Sequence, residues 1–350
     1  MGKPGKVMNT APRTPETSKR HGFTRREFLG AGLGGAALAA LGLYLWPKLF
    51  RRRWHEQTFI AKVPDYRADI TGAMLSGFRA LGVLPAEIKG KRILLKPNLV
   101  ETHAGAIHIN THPAVVYGAA QAFLQLGAAK VIVAEGPGHC GDTLLLLEES
   151  GLAEMLREDR IPFVDLNYDN GYMVMNPSRY SSLATLTLPN TLRQVDWVVS
   201  LAKLKTHHWA GVTLAMKNFF GVMPGIYYGW PKNPLHFAGI EGAILDIVSA
   251  VRPQFAIVDG IVGMEGDGPI MGTPKPAGVL IMGRNLPAVD ATSARLMGIN
   301  PHRVRYLAEA GRRLGPVHEA EIVQVGEPVA SMRTDFKLLE RIPAQRGLRS

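Results

Sequence analysis

Ile93-Leu94-Leu95-Lys96-Pro97-Asn98 decides the fold once it is read with Pro113 to Leu126 and Val131-Ile132-Val133-Ala134. The first run is short, continuously apolar and closed by Lys-Pro-Asn, the pattern of a strand buried on both faces that stops at a loop. The second carries apolar positions at helical spacing, with Pro113 suited to the first turn and Gly127 to the stop. The third is another buried strand, followed by a Gly136-Pro137-Gly138 turn. Strand, helix, strand in that order predicts a parallel pair joined by a covering helix. Further apolar runs predict strands at Phe163 to Leu166, Trp197 to Leu201, Phe255 to Val258 and Val279 to Met282. Helical patterns lie near Thr143 to Arg157, Ile240 to Val251 and Ala288 to Met297. The expected fold class is therefore α/β, a mostly parallel sheet covered by helices on both faces. Thr206 to Pro234, rich in glycine and aromatics and poor in periodicity, is expected to lie over the sheet.

In such sheets ligands sit at the carboxyl ends of the strands, where loops converge. Lys96 and Asn98 follow the first core strand, and Thr111 and His112 stand just before a helix. A lysine, an amide and the free N–H groups of a helix start can hold an anion or a carbonyl oxygen. The same four residues also read as an exposed lysine, a turn and a helix cap. A denser cluster follows Leu201: Lys203, Lys205, Thr206, His207 and His208, then Lys217 and Asn218. Trp209, Val212, Leu214 and Met216 lie among them. Lysine among apolar residues and other cations loses protons readily and becomes a base or nucleophile. Imidazoles offer proton transfer or metal ligation. Downstream, His236, Asp259 and Glu265 extend the possible metal ligands. The acidic glycine loop Glu265-Gly266-Asp267-Gly268-Pro269 matches no calcium-loop spacing and also reads as a tight turn. No dinucleotide glycine fingerprint, phosphate-binding glycine-lysine loop or G-x-S-x-G elbow is present.

The net charge of +11 suggests a nucleic-acid partner until it is located. Residues 1–57 hold 11 Lys/Arg against 3 Asp/Glu, which leaves the remainder at only +3. A folded part so near neutrality lacks the electrostatic footprint of a nucleic-acid binder. Thr24-Arg25-Arg26-Glu27-Phe28-Leu29 resembles the twin-arginine export signal, and a glycine- and alanine-rich apolar run follows from Phe28 to Trp46. Its 19 residues are about what a membrane-spanning helix requires. This predicts an N-terminal signal/anchor helix before the α/β domain. A small-residue cleavage site, Ala37-Leu38-Ala39, is the alternative to an uncleaved anchor. The expected partners are then the twin-arginine translocation machinery, the cytoplasmic membrane and a small anionic ligand, with the folded domain on the outer (periplasmic) side. The single cysteine, Cys140, excludes an internal disulfide and a cysteine-ligated iron–sulfur cluster.

Several ordered motifs resemble the domain of unknown function 362 family. They are Leu95 to Val100, Thr111-His112-Pro113, Lys203 to His207, Gly211 to Gly221 with Lys217-Asn218, Val258-Asp259-Gly260 through Gly268-Pro269, Ala288 to Ala291 and Leu296-Met297-Gly298. The likeness spans Thr58 to Val325 and implies the fold neighbourhood; the family has no agreed reaction. Some members carry a ferredoxin-like module, whose cysteines this chain lacks. The order His207, Lys217, Pro224-Gly225, His236 is similar to that of the nickel-pincer lactate racemase family. That similarity would make Lys217 a cofactor attachment site, His207 a metal ligand or base, and His236 a further ligand. The glycine-serine-glycine stretch preceding the lysine in that family is here Thr213-Leu214-Ala215-Met216.

The expected organisation is a leader, anchor and basic linker at 1–57, one α/β domain at 58–328 and a tail at 329–350. The expected chemistry is that of an enzyme acting on a small anionic substrate. Lys205, His207 and Lys217 are the candidate catalytic residues, and Lys96, Asn98, Thr111, His112, Lys203, Thr206 and Asn218 are the candidate binding residues. A divalent metal on His207, His208, His236, Asp259 and Glu265 is the accompanying cofactor expectation. A membrane-tethered binding or assembly protein without turnover is the alternative, served by the same pocket.

Overall fold

The strands alternate their buried side chains between two apolar layers, and this alternation organises the molecule. In the computed structural model, which describes Gly2 and residues 55–102, 105–138 and 142–350, the strands are β1 (Glu56–Lys62), β2 (Arg92–Pro97), β3 (Lys130–Glu135), β4 (Phe163–Asp165), β5 (Gly171–Met175), β6 (Thr185–Pro189), β7 (Trp197–His207), β8 (Gly211–Thr213), β9 (Phe255–Glu265), β10 (Thr273–Gly283) and β11 (Ile322–Gly326). Nine of these form one sheet in the order β11-β1-β10-β9-β7-β2-β3-β4, with β8 paired to β7. β9, β7, β2, β3 and β4 are parallel neighbours, while β10 runs antiparallel to β9 and β1. The mostly parallel α/β sheet expected from the sequence is thus present, with an antiparallel strand set into it. β5 and β6 form a separate hairpin.

Ile93, Leu95, Val131, Val133, Val199, Leu201, Phe255 and Ile257 face one layer. It is closed by α1 (Ile70–Ala80), α2 (Pro113–Gln125), α3 (Thr143–Glu149) and α4 (Leu152–Glu158). Leu94, Ala134, Val198, Ala202, Leu204, Ala256 and Val258 face the other, closed by α5 (Ile240–Val251), α6 (Leu286–Leu296) and α7 (Arg305–Arg313). Period-two side chains with both faces covered explain why these strands read as unbroken apolar runs.

Three departures bear on function. β7 runs on to His207, six residues beyond the expected strand end, and all eleven of its residues are buried. Lys203, Lys205 and His207 therefore stand on a central strand and not on a loop after it. The helix expected over Thr143 to Arg157 is two helices, parted at Gly151, whose φ of 73° suits glycine. Within the segment expected to lie over the sheet, β8 and a 3₁₀ turn, Lys217–Val222, pack against the ends of β2, β3 and β7. Residues beyond 329 bury Phe336, Gln345 and Leu348 against the same compact unit, which extends from Trp54 to Ser350.

The twin-arginine motif and the apolar run Phe28 to Trp46 lie outside the described residues. Among the described residues no helix is long and apolar enough to cross a membrane.

Candidate functional site

The carboxyl ends of β2, β3 and β7 open into a cavity of about 730 Å³. Lys96, Asn98, Glu135, Lys205 and His207 reach it from those ends, and His208, Trp209, Thr213, Lys217, Asn218, Phe220, Lys232 and His236 reach it from the segment that follows β7. Four lysines in one cavity demand an account of where each amine finds its partners, because a buried cation without one is costly.

Lys96 is fully satisfied. Its Nζ donates to Glu135 Oε2 (2.6 Å), Asn218 Oδ1 (2.9 Å) and the Pro97 carbonyl (2.8 Å), which uses all three of its N–H groups. Glu135 in turn accepts from the backbone N–H groups of Leu99 and Gly136. Burial draws the Lys96 amine down and the Glu135 carboxylate opposes it. Lys232 donates to the carbonyls of Gly136 (2.5 Å) and Phe220 (3.2 Å), and burial lowers it to about 7. Lys205 donates to the Ile109 and Pro269 carbonyls; burial first, and then Lys203 and Lys217, hold it well below the usual range.

Lys217 differs from the other three. Its Nζ lies 4.0 Å from the centre of the Phe220 ring and has no hydrogen-bond or carboxylate partner among the described residues. Burial, with Lys96 nearby, lowers its amine to about 7. The backbone that carries it is pinned from below: Asp290, fully buried, accepts from the N–H groups of Ala215 (2.7 Å) and Met216 (3.1 Å). Burial raises the Asp290 carboxyl to about 7.

The histidines are set in opposite tautomers. His207 Nδ1 accepts from the N–H groups of Trp209 and Ala210, so the ring proton sits on Nε2. His236 Nδ1 faces the Lys232 carbonyl at 3.2 Å, which can only accept, so Nδ1 holds the proton and Nε2 keeps a lone pair. Burial first and then Lys217 keep both rings neutral at pH 7, with His236 lowered to about 4.

Hydrogen bonding also fixes the amides. Asn218 Oδ1 accepts from Lys96, and its Nδ2 donates to the Lys96 carbonyl and to Ser200 Oγ. Asn98 must then offer its Nδ2 to Asn218 Oδ1 (3.3 Å), which leaves Asn98 Oδ1 buried in the cavity wall with no donor among the described residues. Thr213 Oγ1 is likewise buried without a partner among the described residues. The cavity thus presents donors at Lys217 and His207 and an orphan acceptor at Asn98. These suit a ligand that has anionic oxygens and a hydrogen-bond donor of its own.

Lys96, Asn98, Lys205, His207, His208, Lys217, Asn218 and His236 meet at this one cavity; the remaining sequence candidates do not. Lys203 is held by Asp259 (2.8 Å), its register partner on β9, and by Tyr66 and the Ile107 carbonyl. Thr111 Oγ1 donates to the Leu201 carbonyl and accepts from Asn98 N–H, joining two chain segments. His112 caps α2 through Nδ1 and stacks on Tyr66 with ring centres 3.7 Å apart. Thr206 Oγ1 donates to the Gly266 carbonyl. The five-residue metal set does not assemble. Asp259 is consumed by Lys203, Tyr66 and the backbone of His112 and Ile261, while Glu265 accepts from Lys337 N–H and faces Lys275. Among the described residues no three His, Cys, Asp or Glu side chains are grouped to hold a metal ion.

Glu135, Thr213, Lys232 and Asp290 are absent from the sequence candidates. Glu135 closes a buried strand just as Lys96 does, and the strand-end rule applied to Lys96 would have found it. Lys232 lies in an aperiodic stretch that no local pattern marks, and Asp290 lies inside a helix, within the Ala288 to Ala291 motif but with nothing local to show that it holds the backbone ahead of Lys217.

The family model described as a domain of unknown function (DUF362) matches residues 93–295, which span both the strand ends and the cavity. The chain belongs to the DUF362 family. A thylakoid-associated protein of Synechocystis sp. is 28% identical to this DUF362 chain over 254 residues, covering 70% of this chain and 76% of the relative. Two solved structures match parts of the chain at low similarity. One is a Thermotoga maritima protein (12% identity, TM-score 0.35) and the other the lactate racemase apoprotein of Thermoanaerobacterium thermosaccharolyticum (13% identity, TM-score 0.33). They cover 62% and 61% of the DUF362 chain, which spans only 55% and 52% of their own lengths.

Proposed function

We propose that the cavity binds a small organic anion and that Lys217 is its reactive amine, acting as nucleophile or general base. The observation that carries this reading is an amine inside a cavity, without hydrogen-bond partner, lowered to about 7. At neutral pH such a group is divided between an ammonium that attracts an anion and a free amine that can take a proton or attack a carbonyl. Lys96 holds its neighbours in place, since its own donors are spent. His207 supplies an N–H donor, His236 a lone pair and Asn98 an acceptor for a ligand hydroxyl or amino group. Placement of the folded domain outside the cytoplasmic membrane, behind a twin-arginine leader, belongs to the same proposal and rests on Thr24 to Trp46.

The test uses an anion that bears an aldehyde. Glyoxylate with cyanoborohydride at pH 7 converts a reactive amine, through an imine formed with loss of water, into a stable carboxymethyl group. Peptide mass spectrometry is expected to find Lys217 modified ahead of every exposed lysine, with methyl phosphate protecting it. Labelling that follows lysine exposure, without protection, contradicts the proposal. A non-enzymatic binder would show the same protection, so turnover assays on Lys217→Met separate the two.

A further inference from the structure

The cavity is much larger than an anionic head requires. One water accounts for about 30 Å³, so a carboxylate or phosphate fills a small part of about 730 Å³. Cavities of that size enclose ligands with a substantial body. Of the charged groups that line the cavity, Lys96, Lys205 and Glu135 are buried and partnered, Lys232 is held by the Gly136 and Phe220 carbonyls, Glu101 accepts from Thr102 and Asp267 is paired with Arg341, which leaves the partly covered Lys217 as the amine open to a ligand. Leu99, Val100, Trp209, Phe220, Ile270 and Met271 supply apolar wall. Two of these are open to solvent, Met271 at 79% and Trp209 at 52%. A methionine and a tryptophan so exposed at the lip of a cationic cavity lose contact with water only when something apolar covers them.

We propose that the ligand is amphipathic: an anionic head at Lys217 and an apolar body that leaves over Trp209 and Met271. This deepens the reading of the cavity as an anion site and rests on it. Charge complementarity fixes the orientation, because the unpartnered amine is inside and the exposed apolar side chains are at the lip. Burying each additional methylene on that lip strengthens binding by roughly fourfold until the wall is covered.

Calorimetry on the full chain compares methyl phosphate with dissolved decyl phosphate, two probes that share a head and differ only in the tail. The expected result is decyl phosphate bound at least about tenfold more tightly. Met271→Asp narrows that ratio severalfold, and Met271→Leu preserves it; both substitutions are at an exposed position and leave the core intact. Equal affinity for the two probes, or a ratio undiminished in Met271→Asp, overturns the inference, as does failure of both probes to bind. If Lys217→Met binds methyl phosphate as the wild type does, the assignment of Lys217 falls, while the chain-length ratio still decides the amphipathic ligand. Phosphatidylcholine vesicles carrying dicetyl phosphate distinguish the source. Binding that depends on Met271 assigns a bilayer lipid, and binding of dissolved decyl phosphate alone assigns a soluble amphiphile.

Discussion

Lys217 destabilises the fold that holds it, and this has a measurable sign. Its amine is lowered to about 7 in the folded chain from an ordinary 10.5, so between those values the unfolded chain binds more protons. Stability contributed through this group therefore rises with pH across that window; below pH 7 the full cost of a buried ammonium is present. Lys217→Met is expected to raise the melting temperature, most below pH 7 and progressively less towards pH 10.5, when followed by thermal unfolding at several pH values. An unchanged or lowered melting temperature at pH 6 would contradict this. Asp290 acts on the same residue from beneath. Asp290→Ala leaves two buried backbone N–H groups without their acceptor, at a cost of about 1–3 kcal/mol each. Urea unfolding is expected to show that loss, together with a shifted titration of Lys217 if the turn it carries has moved. Only part of this was visible around Lys217 in the sequence. The apolar neighbours suggested a lowered amine, but the missing partner depends on Lys96 and Lys205 finding theirs elsewhere.

At the level of elements, the site depends on the close approach of the 3₁₀ turn Lys217–Val222 to the ends of β2 and β3. Gly221 is the contact point: a Cβ there would overlap Glu135 Oε1 and lie 2.6 Å from Lys96 Nζ. Gly221→Ala must therefore displace the ion pair or the turn, and an overpacking cost of about 1–3 kcal/mol is expected. Denaturant unfolding measures that loss, and glyoxylate labelling is expected to fall with it. The C-terminal segment supports the opposite wall. Gln345 Nε2 donates to the Gly266 carbonyl (2.8 Å), and Gly266 N–H donates to that of Lys337 (2.9 Å), beside cavity residues Asp267 and Pro269. Gln345→Ala, which removes the acceptor of the Leu339 N–H together with one of the donors to the Gly266 carbonyl, is expected to lower stability by about 1 kcal/mol or more. The strand–helix alternation was legible because both sheet faces are covered, so Ile93 to Leu95 and Val131 to Ala134 announce themselves as apolar runs. β7 was legible only as far as Leu201. Its last six residues are mostly polar yet fully buried, because each polar side chain there finds a partner on a neighbouring element or, for His207, on the backbone just beyond the strand.

Across the whole molecule, the sheet brings residues about 140 positions apart, from Lys96 to His236, around one cavity. The strand-end rule located that region from sequence alone. It could not sort the residues there, since Lys203, Thr111 and His112 sit at equally suitable positions and are absorbed by structural bonds. It also could not keep Asp259 and Glu265 with the histidines, because pairing across β7, β9 and β10 is set by the assembled sheet. This assembly, beyond the local sequence, makes Lys217 a partly deprotonated amine. Competitive acetylation with trace acetic anhydride across pH 5 to 11, read peptide by peptide, tests it directly. The expected result is a Lys217 midpoint of about 7 in the native chain and an ordinary lysine midpoint near 10.5 once the chain is unfolded. A native midpoint near 10.5, shared with the exposed lysines, would contradict it.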